Sequence, residues 1–106
     1  MEPKELFQKA YELIKDEKCW TVYYNARDKD GDVVSADDPI AVCWCSNGAL
    51  NKFNSFFMHP NSWVRGALNE TARQHGVNHF LVFNDTHTHA EVMAMWEETG
   101  EREGWL

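Results

Sequence analysis

Residues 83–92 read Phe-Asn-Asp-Thr-His-Thr-His-Ala-Glu-Val and set an amide, a carboxylate and two imidazoles close together. An aspartate beside a histidine can hold the tautomer that general-base work needs. Asn84, Asp85, His87 and His89 are therefore candidate site residues. The same stretch has a plainer reading. Thr88-x-x-Glu91 ahead of Val92-Met93-Ala94-Met95-Trp96 is a capping box that starts a helix, and this reading is preferred. No nucleophile accompanies the pair. The elbow Gly-x-Ser-x-Gly is absent, no glycine-rich phosphate loop occurs, and no cysteine lies in a polar, electropositive context.

Cys43-Trp44-Cys45 with His87 and His89 has the residue types of a zinc site, which takes four ligands in a tetrahedron. Side chains two apart on a helix diverge by about 200°. Cys43 and Cys45 on a helix would not easily share an ion, although one of them with both histidines could. Buried thiols and solvated histidines are the preferred reading. Asp28-Lys29-Asp30-Gly31-Asp32, with Asp37 downstream, partly mimics a calcium loop. Its first position would be Ala26, which has no carboxylate, so the segment is read as a hairpin turn. No metal and no cofactor are expected.

These groups sit in a chain of 106 residues, 43% of them hydrophobic, with five Trp, three Tyr and six Phe. That is one domain with apolar area enough for a real core, which excludes disorder. Ten Lys plus Arg against 17 Asp plus Glu leave a net charge of −7. Phosphate backbones would repel such a chain, so direct nucleic-acid binding is not expected. The charge serves solubility or complements a basic partner. No apolar run approaches the roughly 18–20 residues of a membrane span. The N-terminal Met-Glu-Pro-Lys-Glu-Leu lacks the layout of a signal peptide. The expectation is a cytoplasmic protein, off the membrane, with Cys19, Cys43 and Cys45 reduced.

Pro3 suits a first helical position, and Leu6, Phe7, Ala10, Tyr11, Leu13 and Ile14 recur at helical spacing, so a helix is expected over 3–18. Residues 20–24, Trp-Thr-Val-Tyr-Tyr, read as a strand; Asp28 to Gly31 turns it into a hairpin with Val33-Val34. Asp38 and Pro39 open a second helix over 40–53 that is apolar on most sides, with Gly48 allowing close contact. Phe56 to Pro60 is an apolar connector. Asn61 or Ser62 caps a third helix that ends at His75-Gly76. Residues 77–83 could be a third strand or an extended segment. The last helix spans 89–99 and stops at Gly100, leaving a frayed tail unless Trp105 packs back. The sum is a single compact α+β domain, mostly helical, with four helices and a short β-hairpin.

In this order the chain resembles a family of small uncharacterised proteins from bacteria and their phages. The resemblance rests on Trp20, Ala26-Arg27-Asp28 with Gly31, Ala41-Val42-Cys43-Trp44-Cys45-Ser46-Asn47-Gly48-Ala49-Leu50, Asn84-Asp85, and Thr88-His89-Ala90-Glu91-Val92. Members place several residues between Asn-Asp and Thr-His, whereas here only Thr86-His87 intervenes. The resemblance implies a fold and a bacterial or phage origin. It implies no substrate and no catalytic residue.

Five tryptophans exceed what one small core readily hides, and tryptophan is a favoured interface anchor. Trp20 and Trp44 are assigned to the core; Trp63 and Trp96 are candidate binding residues beside Asn84, Asp85, His87 and His89. The expected function is that of an acidic binding protein without catalytic activity, acting through a protein–protein interface or self-association. A phage-borne inhibitor of a host enzyme or defence complex is one version. The alternative is a small metal-binding protein or hydrolase-like enzyme with its site around Asp85, His87 and His89.

Overall fold

In the computed structural model, residues 1–55 and 58–106 are described. Of the connector expected over Phe56 to Pro60, Phe56 and Phe57 lie outside them, and His59 and Pro60 are helical. Helix α1, Pro3–Ile14, starts on its proline and buries Leu6, Phe7, Ala10, Tyr11 and Ile14 along one stripe. It stops earlier than its periodicity suggests. Asp16 accepts the Lys18 N–H and caps a 3-10 turn at Glu17–Cys19 instead.

Three two-residue strands follow: β1 Ala26–Arg27, β2 Val33–Val34 and β3 Cys43–Trp44. They form an antiparallel sheet in the order β2-β1-β3. The expected turn is present. Asp28 Oδ1 accepts the N–H groups of Asp30 and Asp32, each at 2.9 Å, and Gly31 takes φ +83°. Its first strand, however, is Ala26–Arg27 rather than 20–24, where only Trp20 pairs, in parallel with Trp44.

The helix expected over 40–53 is corrected to β3 followed by α2, Ser46–Phe53. An apolar run of this length fits a strand as well as a helix. The stop signal is Cys45, whose Sγ accepts the Gly48 N–H at 3.3 Å as the helix cap. Helix α3, His59–Gln74, begins before Asn61, which is buried inside it. Residues 77–83 form no strand. Helix α4, Phe80–Thr86, occupies most of that stretch, capped by His79 Nδ1 on the Leu81 N–H. Helix α5, His89–Glu103, opens on the expected capping box at Thr88 and Glu91, runs past Gly100 and ends at Gly104 with φ +76°.

There are thus five helices among the described residues, not four, and the architecture is mostly helical α+β. Helix α1 packs on α2, α3 and α5. Phe7 sits between Trp96 and Trp105, with ring centroids 5.1 and 5.2 Å away, so the tail folds back onto the core. Each such buried aromatic contributes roughly 1.5–3 kcal/mol. No helix among the described residues is long and apolar enough to cross a membrane.

Candidate functional site

Helix α4 carries Asn84 into the interior, where it is fully buried. A buried amide costs about 1–3 kcal/mol for each hydrogen bond left unmade, so its partners decide whether the fold tolerates it. Asn84 has all of them. Its Oδ1 accepts the Trp20 indole N–H at 2.9 Å, the Ser46 backbone N–H at 3.0 Å and the Ser46 hydroxyl at 2.8 Å. Its Nδ2 donates to the Thr21 carbonyl at 3.2 Å and to Asp85 Oδ1 at 3.1 Å. Ser46 Oγ in turn accepts the Trp96 indole N–H at 3.0 Å. One side chain therefore joins α4, the start of α2, α5 and the segment after α1.

Asn25 and the start of α2 tighten this joint. Cys45 N–H donates to the Asn25 carbonyl, and Asn47 Nδ2 donates to Asn25 Oδ1 at 3.0 Å. A Cβ on Gly48 would stand 1.8 Å from that same carbonyl, so only glycine allows α2 to approach. Burial pushes the Cys45 thiol above its ordinary pKa, the opposite of an activated nucleophile.

The network reaches toward the surface through Asp85. Asp85 Oδ1 also accepts the Tyr23 backbone N–H at 2.8 Å. Tyr23 has φ +74°, in the left-handed region that disfavours side chains, and is 68% exposed. Tyr24 beside it is exposed and stacks on the Arg27 guanidinium, 4.9 Å from the ring centroid. Tyr24 and Val33 line one shallow groove of about 600 Å³, while the exposed Val42 gives its N–H to the Arg27 carbonyl.

The candidate residues thus separate. Asn84, Asp85 and Trp96 share the buried network, and Trp96, at 0% exposure, is a core residue rather than a surface anchor. His87 Nδ1 lies 3.0 Å from the Phe83 carbonyl, and His89 Nε2 lies 2.8 Å from the Ile14 carbonyl. Neither imidazole is hydrogen-bonded to Asp85. Trp63 is 53% exposed on α3, with the His59 ring edge-on at 5.4 Å. Among the described residues no three His, Cys, Asp or Glu side chains lie close enough to hold a metal ion. Sequence reasoning passed over Tyr23, Tyr24, Asn25 and Ser46. The only local signal for any of them was Gly48, whose need for space pointed to a close backbone neighbour.

Fold and site define a small helical α+β domain in which Asn84 and Ser46 build an internal polar joint and Tyr23 and Tyr24 a strained aromatic surface loop. The chain belongs to a family of unknown function, DUF6197, whose model matches residues 1–102. No curated protein and no solved structure matches it.

Proposed function

We propose that this protein acts without catalysis, docking on a protein partner through the exposed Tyr23 and Tyr24 and the groove that Tyr24 lines with Val33. The observation that carries this reading is Tyr23. A non-glycine residue at positive φ costs on the order of 1–3 kcal/mol and persists only where its surroundings enforce it. Here Asp85 enforces it, and the strained side chain gains no burial in return. Exposed tyrosines are favoured anchors at interfaces, since their rings bury much area at little entropic cost.

The partner's matching surface is basic. Asp28, Asp30, Asp32, Asp37 and Asp38 belong to the loops that leave the sheet, and the whole chain carries −7. Charge of one sign around an apolar patch selects the opposite sign opposite it. In the bacterial or phage setting that the family resemblance implies, such a domain would act by occupying a host protein's surface.

The test is capture on immobilised protein, then purification of the captured partner and direct calorimetry. Replacing both Tyr23 and Tyr24 by Ala should weaken binding by about 100-fold, as for two interface anchors. Raising salt should weaken it further. A purified partner whose affinity ignores both substitutions would overturn the reading.

A further inference from the structure

A second cleft, of about 320 Å³, shares no residue with the tyrosine face. His75, His87, Glu91 and Glu98 line it over the rings and chains of Phe83 and Met95. Each of the four polar side chains has one atom bound to the protein. His75 Nε2 lies 2.7 Å from Glu98 Oε2. His87 Nδ1 lies 3.0 Å from the Phe83 carbonyl. Glu91 Oε1 accepts the Thr88 N–H and hydroxyl at 2.9 and 3.1 Å. A carboxylate and a carbonyl only accept, so a neutral ring carries its proton on Nε2 at His75 and on Nδ1 at His87.

The atoms left over are His75 Nδ1, His87 Nε2, Glu91 Oε2 and Glu98 Oε1. With both rings neutral all four are acceptors, none has a hydrogen bond among the described residues, and no Lys or Arg lines the cleft. They do not converge on a single ion. Acceptors spread around a cleft of this size suit a cation that is itself extended and rich in N–H groups. The wall adds a shape. The Phe83 and His87 rings stack at 3.7 Å with only 2° between their planes.

We propose that this cleft binds a guanidinium group. A guanidinium is planar, carries five N–H donors, stacks on flat rings and pairs with carboxylates through two parallel bonds. An alkylammonium offers the charge without the plane. The group can come from a small molecule such as agmatine or from an arginine side chain of a peptide.

The experiment follows the imidazole signals of His75 and His87 by NMR at one fixed, mildly alkaline pH. Agmatine should give saturable shifts, a short Gly-Arg-Gly peptide should tell the two sources apart, cadaverine should bind more weakly, and urea should give no shift. Glu98→Gln keeps an acceptor for His75 and should lower agmatine affinity by about tenfold, the loss of one charge-assisted pair. No saturable shift with either guanidinium probe, an equal response to cadaverine, or an unchanged affinity in Glu98→Gln would overturn the assignment.

Discussion

Asp85 and Tyr23 are joined by a 2.8 Å hydrogen bond from the tyrosine's backbone N–H to the carboxylate, and that bond couples the interior to the surface. The same oxygen takes the Asn84 amide at 3.1 Å. Asn84 is itself held by Trp20 and Ser46. A backbone conformation that tyrosine disfavours is thus anchored by a network that cannot shift without disturbing four elements.

Tyr23→Gly separates folding from binding. Glycine accepts φ +74° without strain, and an exposed ring gives up little burial. The variant should fold with stability unchanged or raised by up to about 1 kcal/mol in urea denaturation. Partner affinity should fall by at least about tenfold, since the anchor is gone. A variant that loses stability while binding normally would show that the loop serves the fold alone.

Asn84→Ala leaves the Trp20 indole N–H and the Ser46 N–H facing a void. At about 1–3 kcal/mol for each stranded donor, the cost should be about 3–5 kcal/mol by chemical denaturation. Asn84→Asp keeps an acceptor but sets a buried carboxyl against Asp85, so burial and like charge both favour its protonated form. Its deficit should therefore be larger at neutral pH than near pH 4. A pH-independent deficit would remove the charge argument and leave the lost amide donor as the cause.

The parts of the fold that local rules govern were legible. Pro3 and the stripe behind it set α1, and Thr88 with Glu91 set the start of α5, because a cap and its partner lie within one turn. Asn84 was visible only as a residue type. Its partners Trp20 and Ser46 lie 64 and 38 positions away, and such bonds leave no periodic mark. Cys45 hid the start of α2, since caps are usually Ser, Thr, Asn or Asp. Phe80-Leu81-Val82-Phe83 has strand composition yet forms α4. The Asn69 side chain accepts the Phe80 N–H at 2.9 Å and fixes the helix start from outside.

Two glycines inside helices should respond oppositely to alanine. At Gly48 the new Cβ meets the Asn25 carbonyl at 1.8 Å, and backbone must move. The loss should be about 3 kcal/mol or more. At Gly66, within α3, nothing stands within 4 Å of the new methyl. Gly66→Ala should stabilise by about 0.5–1 kcal/mol through helix propensity. Thermal melts of the two variants check both signs, and a harmless Gly48→Ala would contradict the described contact between α2 and Asn25.

The capping box should be visible in acid. The Thr88 backbone N–H, and then its hydroxyl, hold the Glu91 carboxyl below its ordinary pKa of 4.5. A depressed carboxyl stabilises the fold above its unfolded pKa, and the contribution is lost as pH falls through the folded one. Glu91→Gln keeps a hydrogen-bonding side chain at the same place but cannot titrate. The difference in stability between the two proteins should shrink as pH falls below about 4.5. A difference that stays constant on acidification would mean that the box gains nothing from the charge.

Tyr11 should make the protein sensitive to alkali. Its hydroxyl is pushed up to about 12, first by burial and then by the 2.6 Å hydrogen bond it donates to Glu97, whose negative charge adds to the effect. Below pH 10 the group is protonated in both states, and its contribution to stability is complete. Between 10 and about 12 the unfolded chain ionises while the folded one holds its proton, so stability drains away over that interval. Tyr11→Phe keeps the ring beside Phe7 and removes the titrating group. The variant should lose about 1 kcal/mol at neutral pH through the missing hydrogen bond. It should then fall less steeply than the parent from pH 10 upward. Every other group is common to both proteins, so the difference between the two denaturation series isolates Tyr11. Parallel slopes would mean that the Tyr11 hydroxyl is as free to ionise in the folded protein as in the unfolded chain.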